Sequence, residues 1–316
     1  GQSNMSGTTN PLVSQLPTSL LDSVPNVLIK VDEHKVNYNW GPLCPGLGAT
    51  ASNFGPEITF GRDALDYFGC KIAIIKFSFG GTTLNEDWRP PSSAGTVGWL
   101  YSGLINDVTA CLAHLDSSYE VHLMGMCWMQ GETDALDNAK AVNYQINLIN
   151  FIHDIRTALN FPKMPFCIGM IDSSAGWTYN TAVRQGEINV AKSIDGVSIF
   201  DTHGLETDGV HYSTQGQIEL GHFFFRYLDG SYASYQSYNE GTTKVFPNPS
   251  NGSFQIITSG IPTEYKYIII DKKGALVQAG QLYIGCEVNI PTLNAGVYFI
   301  YLTTKQGTVV KKIVKE

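Results

Sequence analysis

Four short, nearly continuous apolar runs punctuate the chain between residues 57 and 228: KIAIIKF (71–77), VHLMGMCW (121–128), FCIGMI (166–171) and VSIF (197–200). Runs of this length without polar alternation predict strands covered on both faces. Between them apolar residues return at helical spacing, most clearly over 138–160, where Val142, Ile146, Ile149, Ile152, Ile155 and Leu159 recur. Strand alternating with helix predicts an α/β fold, a parallel sheet with helices on both sides.

In such sheets ligands collect at the carboxyl ends of the strands, where loops converge and helix N-termini present free N–H groups. The segments to inspect are therefore SFGGTT, MQGETDA, DSSAGW and DTHGLETDGVH, one after each run. Around 230–244 the stretch GSYASYQSYNEGTTK loses hydrophobic periodicity and reads as a linker. Beyond it, β-branched and aromatic runs such as SFQIITS, YIIID and GVYFIYLTT, separated by hairpin-length turns, predict a small all-β sandwich. The expected organisation is a first domain over 1–229, a linker over 230–244 and a second domain over 245–316.

A length of 316 residues accommodates two domains. The net charge of −8 conceals an asymmetry: residues 1–240 hold 12 Lys+Arg against 24 Asp+Glu, and residues 241–316 hold 8 against 4. An acidic first domain argues against nucleic acid as its partner, because phosphate binding needs clustered Lys and Arg. No apolar run approaches the roughly 20 residues that cross a bilayer, so no transmembrane segment is expected. The six cysteines, at 44, 70, 111, 127, 167 and 286, form no C-x-x-C pair, which leaves metal catalysis without support. Cys127 and Cys167 read as buried free thiols, and a Cys44–Cys70 disulfide is compatible with export.

Two segments carry chemistry. In DGVH, Asp208 stands three residues before His211. That spacing lets a carboxylate take the imidazole Nδ1–H and turn Nε2 outward as a base. Thr214 and Gln217 then fit a capping box that opens an amphipathic helix ending near Leu228. Alone, D-x-x-H is a weak signal that more often marks a solvated loop. The opening GQSNMSG suits a sharp turn that projects a serine hydroxyl, with helix N–H groups behind it for developing oxyanion charge. It is not the G-x-S-x-G elbow.

Taken in order, Gly1-Gln2-Ser3-Asn4-Met5, Gly55-Pro56-Glu57, Gly80-Gly81-Thr82, Trp128-Met129-Gln130-Gly131-Glu132-Thr133-Asp134 and Asp208-Gly209-Val210-His211 resemble the blocks of one SGNH-hydrolase branch. That branch contains the sialate O-acetylesterases and the carbohydrate esterase family 6 acetylxylan esterases. The resemblance covers nearly all of residues 1–228. It implies a three-layer α/β/α fold with Ser3 as nucleophile, His211 as general base and then acid, and Asp208 as the carboxylate that orients it. The implied oxyanion hole combines the Ser3 N–H, an N–H from Gly80 or Gly81 and the side-chain amide of Gln130. Glu132 either orients the site or serves as the acidic partner of the base.

Trp88, Trp99, Trp128 and Trp177, with Tyr101 and Tyr179, fall in or beside these loops, and Trp88 in EDWRPP is the expected sugar contact. The implied activity is removal of O-acetyl groups from polysaccharide, acetylated xylan first and O-acetylated sialic acid as the alternative, with no metal and no cofactor. A non-catalytic carbohydrate-binding surface protein is the remaining reading. Members place a buried strand directly before GQSNM and none precedes Gly1 here, so the chain is expected to be trimmed from a longer one. VFPNPSNGSF, YIIIDKKGALV, LNAGVYFIYL and KKIVK in turn resemble the C-terminal sorting domain of the type IX secretion system over 245–316. This implies export by that machinery to the cell surface or medium.

Overall fold

A computed structural model describes residues 1–33, 37–173, 175–228, 243–258, 264–272, 275–283, 287–304 and 307–316. The chain divides into two units, Gly1–Ser234 and Tyr235–Glu316. Most of the expected linker, 230–242, lies outside the described residues.

The first unit holds strands β1 (Val24–Glu33), β2 (Asn37–Leu43), β3 (Ile72–Ser78), β4 (Met126–Trp128), β5 (Phe166–Gly169) and β6 (Val197–Phe200). Its helices are α1 (Ser3–Ser6), α2 (Glu57–Phe68), α3 (Trp99–Asp116), α4 (Asn138–Ala158), α5 (Asn180–Ser193) and α6 (Thr214–Leu228). The strands form two three-stranded sheets, ordered β2-β1-β3 and β4-β5-β6. All pairs are parallel except β1 with β2. Between the two sheets run Gly1 and Gln2: Gly1 N donates to Phe77 O (3.3 Å), Phe79 N to Gly1 O (3.0 Å) and Gln2 N to Met129 O (3.2 Å). Ser3 therefore emerges at the carboxyl ends of β3 and β4 together.

The alternation of strand and helix is present as read, with differences that have physical reasons. The β1–β2 hairpin was not anticipated, because Pro25, Asn26 and the charges of VPNVLIKVDE mask a one-faced strand whose Val27, Ile29 and Val31 are buried. Only the last three residues of VHLMGMCW pair with β5; His122 and Met124 face solvent. In α4 the buried stripe is Tyr144, Leu148, Phe151, Ile152 and Ile155, while Val142 and Ile146 are exposed. The capping box at α6 does not form. Ser213 caps instead, its Oγ accepting from Gly216 N (3.2 Å), and the Gln217 amide leaves the helix for Asn4 O (2.8 Å).

Helices α3, α4 and α5 cover one face of the sheets around Trp88, Trp128 and Phe166, and α2 and α6 cover the other around Phe54, Ile58 and Ile218. Where α6 crosses α2, a Cβ on Gly221 would lie 2.1 Å from Thr59 Oγ1 and 2.2 Å from Pro56 O. Only glycine permits that approach, and Thr59 Oγ1 uses it to donate to Ile218 O (2.8 Å).

The second unit is all β: β7 (Thr243–Phe246), β8 (Ser253–Thr258), β9 (Glu264–Asp271), β10 (Leu276–Tyr283), β11 (Glu287–Asn289), β12 (Gly296–Thr304) and β13 (Gly307–Lys315). Antiparallel sheets β10-β9-β12-β13 and β11-β8-β7 share a core that includes Phe254, Ile256, Ile269, Val288, Ile300 and Ile313. Cys44 and Cys70 are free thiols, so the disulfide that export would allow is not made; Cys127 and Cys167 are also free, and Cys286 lies outside the described residues. Among the described residues no helix is long and apolar enough to cross a membrane.

The α2–α6 crossing is testable. Gly221→Ala should destabilise the first unit by about 1–3 kcal/mol, because the methyl meets backbone oxygen that cannot move aside as a side chain would. Urea unfolding of the purified chain measures this, and a more stable variant would disprove the close crossing.

Candidate active site

Ser3 is the first residue of α1 and is nearly buried. Its turn is fixed from below by a buried cation: Lys76 Nζ on β3 donates to Ser6 O (3.0 Å), Leu47 O (2.7 Å) and Glu57 Oε2 (2.8 Å). Glu57 Oε1 in turn accepts from Gly55 N (2.9 Å). The Gly55-Pro56-Glu57 block therefore acts structurally, as the counter-charge of a buried ion pair that holds the turn's last carbonyl. Removing one member of such a pair typically costs about 3–5 kcal/mol.

The His211 loop is tied to the turn by one side chain. Asn4 Oδ1 accepts from Tyr212 N (3.2 Å) and its Nδ2 donates to Val210 O (3.1 Å), so His211 lies between the two residues bound by the neighbour of Ser3. Asn4 Nδ2 also donates to Glu132 Oε1 (3.0 Å). Glu132 thus acts on Asn4, and no hydrogen bond joins it to His211 among the described residues. Burial pushes the Glu132 carboxyl above the usual range, against the opposing pull of its backbone and Asn4 hydrogen bonds.

Asp208 departs from the expected geometry. Its Oδ1 accepts from the backbone N–H of Val210 and of His211 (both 2.8 Å), and its Oδ2 from Asn10 Nδ2 (2.6 Å). The carboxylate closes the loop on its own backbone, and no hydrogen bond to the His211 ring is formed. The His211 N–H holds the Asp208 carboxyl below the usual carboxylate range, with Asn10 and Val210 adding to that effect. Burial lowers the His211 pKa, and the Asp208 charge opposes this by raising it. Nor does Ser3 Oγ bond to the His211 ring in this state; catalytic hydrogen bonds commonly tighten only with substrate.

Gly80 lies against the serine: a Cβ there would be 3.5 Å from Ser3 Cβ. Gly81 takes a left-handed φ of +73°, with open space where a side chain would be. The backbone N–H groups of Ser3, Gly80 and Gly81 donate to no acceptor among the described residues. The Gln130 side chain is fully buried and differently employed, its Nε2 donating to Asp134 Oδ2 (2.7 Å) and Thr82 O (2.9 Å), with Gln2 Oε1 at 3.2 Å. Both of its protons are engaged, so service as an oxyanion donor would require one of these bonds to be given up.

Asp134 extends the same brace by accepting from Leu84 N (2.9 Å) and Asn85 N (3.1 Å). Trp88 lies inside the core. It is 0 % exposed, and its Nε1 donates to Thr82 Oγ1 (2.9 Å), which donates to Phe79 O (2.7 Å). Trp88 props the glycine turn from inside the core and offers no face to a sugar. Trp128 and Tyr101 are buried too, and Trp177 lines a separate cavity of about 350 Å³ with Ser173, Asn180 and Arg184. Beside that cavity Ser173 Oγ lies 2.9 Å and Asp172 Oδ1 3.8 Å from His203 Nδ1. Both approach one nitrogen, so this second Ser/His/Asp grouping cannot relay a proton from one partner to the other through the two ring nitrogens.

Asn4 and Asn10 were missed as site residues, and Asp134 was quoted without a role. The signal for Asn4 was its place directly after the serine in a motif already singled out.

A serine-bearing turn at the carboxyl edge of an α/β sheet, walled by glycine and faced by a histidine loop, has the layout of a hydrolase site. Residues 1–228 match the family described as carbohydrate esterase, sialic acid-specific acetylesterase, and the chain belongs to that family. Residues 244–316 match the secretion system C-terminal sorting domain, which directs export to the cell surface or medium. A probable carbohydrate esterase of Arabidopsis thaliana is 26% identical over 174 residues, 53% of this chain, and the chain spans 60% of that relative's length. The solved structure of that Arabidopsis protein superposes with a TM-score of 0.59 at 21% identity, covering 74% of this chain and 95% of the other. A carbohydrate acetylesterase from Xanthomonas citri gives 0.56 at 15% identity over 96% of this chain and 73% of its own. At such identities the two structures speak for the fold alone.

The pH dependence follows from the direction of the His211 shift. A base acts when neutral, so if His211 is the base, its lowered pKa keeps it active to lower pH. The acid limb of kcat/KM should fall below the ordinary histidine value of about 6.5. Asp208→Asn removes the charge that raises this pKa and should move the limb lower still. A limb above about 6.5 in the intact chain, or one that rises in Asp208→Asn, would contradict this electrostatic reading.

Proposed function

We propose that this chain is an exported serine esterase that removes O-acetyl groups from polysaccharide, with acetylated xylan as its substrate. The observation that supports the reading is the Asn4 bridge, which ties the backbone on either side of His211 to the residue after Ser3, with three N–H groups of the turn and glycine wall donating to no acceptor among the described residues. Ser3 Oγ attacks the acetyl carbonyl while His211 takes its proton, and the N–H groups of Ser3, Gly80 and Gly81 receive the oxyanion. His211 returns the proton to the departing sugar hydroxyl. Water, deprotonated by the same histidine, then releases acetate from the acyl-enzyme. Asp208 acts on the histidine through its field and through the loop backbone.

The acidic balance of residues 1–240, 12 Lys+Arg against 24 Asp+Glu, supports a neutral sugar over the carboxylate-bearing sialic acids. Lys76 and Arg184, two cations of this unit, are already paired with Glu57 and Asp201. In the proposed division of labour, residues 1–229 carry the chemistry, 230–244 link, and 245–316 address the protein to the type IX machinery.

Ser3→Ala and His211→Ala should each lower acetate release from acetylated xylan by about 10⁴-fold or more, and the double variant should be no worse, because the two act as one proton-transfer unit. Faster release from O-acetylated sialic acid than from acetylated xylan by the intact chain would replace the substrate and keep the mechanism. Deleting 245–316 should leave esterase kinetics of the purified protein nearly unchanged and abolish export in a host with type IX secretion. Loss of activity on polysaccharide alone after that deletion would reassign the second unit to substrate binding.

A further inference from the structure

The loss of Trp88 as a sugar contact leaves open what holds the carbohydrate, and the surface beside the glycine turn supplies a candidate. Trp99, the first residue of α3, is 59 % exposed, whereas Trp88 and Trp128 are 0 %. An indole left this far out of the core is usually a mobile surface group, and this one is fixed at two points. Its Nε1 donates to Asp87 Oδ1 (3.2 Å), and its ring meets Phe79 edge to face, with centroids 5.3 Å apart at 77°.

Both anchors belong to the site loop. Phe79 directly precedes Gly80, and its N–H donates to Gly1 O (3.0 Å). Asp87 Oδ2 accepts from Thr83 N (2.8 Å) and Thr83 Oγ1 (3.2 Å), and Asp87 O accepts from Leu100 N (2.9 Å). One carboxylate therefore ties the indole to the strap that begins at Gly80–Gly81. The result is a rigid, exposed aromatic surface at the start of α3, satisfied at its only polar atom and anchored to the loop whose first glycine lies against Ser3.

Sugar rings have an apolar C–H face and a rim of hydroxyls, and a planar aromatic side chain with few rotatable bonds binds such a face at small entropic cost. The carboxylate on the indole rim is suited to neutral hydroxyls and repels anionic sugars. We propose that Trp99 is the sugar platform of this site, stacking on a pyranose ring of the polysaccharide next to the acetylated residue. The inference rests on the esterase reading and identifies the polymer backbone, in addition to the ester, as what the site recognises.

The test uses the full chain. Kinetics on acetylated xylan and on p-nitrophenyl acetate, which has no sugar, are compared for the intact protein, Trp99→Ala and Trp99→Phe. The ratio of kcat/KM on polymer to that on the small ester should fall about tenfold in Trp99→Ala, mainly through KM, and recover in Trp99→Phe, which keeps an aromatic face. An unchanged ratio, with both substrates affected equally or not at all, would overturn the platform. Calorimetric titration of xylo-oligosaccharide into the Ser3→Ala chain, with and without Trp99→Ala, reads the platform separately from catalysis. Weaker binding in the double variant supports the platform even if the esterase reading fails; equal binding overturns it even if esterase activity is confirmed.

Discussion

The geometry of the site depends on one side-chain amide. Asn4 reaches Glu132 on one side and the backbone of Val210 and Tyr212 on the other, and its own carbonyl accepts from Gln217 of α6. At 2 % exposure this amide must satisfy its donor and acceptor within the protein, and it does so on both loops. The four groups it meets arise from the loop after β4, the loop before α6 and α6 itself. Fixing Asn4 therefore fixes the relation of the serine turn, the Glu132 loop and the His211 loop in one step. Buried carboxamides serve well in such a place, since they bridge a carbonyl and an N–H without introducing a charge that burial would penalise.

A second layer of polar groups supports the glycine turn and takes no part in the proposed chemistry. Gln130 and Asp134 grip the backbone of residues 82–85, while Trp88 and Thr82 pass a hydrogen bond to Phe79 O. With the amide of Gln130 spent in this way, the proposed oxyanion hole is built from backbone N–H groups alone. Such donors are positioned by the loop's path, so the burden of precision moves to the residues that shape the loop. That explains why so many conspicuous motif residues prove to be braces.

How legible these features are in sequence depends on how far each residue's partners lie along the chain. The strands of the α/β unit and the sandwich pattern of the second unit are local properties, readable from runs such as KIAIIKF and GVYFIYLTT. DGVH is legible as a loop for the same reason, since Asp208 closes on N–H groups two and three residues away. Residue type alone could not tell that its carboxylate would choose the backbone over the ring. Trp88 and Trp99 stand in one stretch of polar sequence, and no periodicity separates the buried indole from the exposed one; only the packing of Phe77, Trp128 and Phe151 around Trp88 does. Val142 and Ile146 mislead in the opposite sense, because apolar residues on α4 face solvent while Tyr144 turns inward and hydrogen-bonds Gln130 O.

The bonds from Asn4 to Val210, Tyr212 and Gln217 span 206, 208 and 213 residues. Contacts of such sequence separation carry the full entropic cost of loop closure and form late in folding. The serine turn and the His211 loop are far apart along the chain, so the proposed nucleophile stays without its proposed base until α6 has docked against α2. On the proposed mechanism, catalytic competence is thus a report on completion: a partly folded chain carries its serine without a base, and hydrolysis begins only when the serine turn and the His211 loop have met.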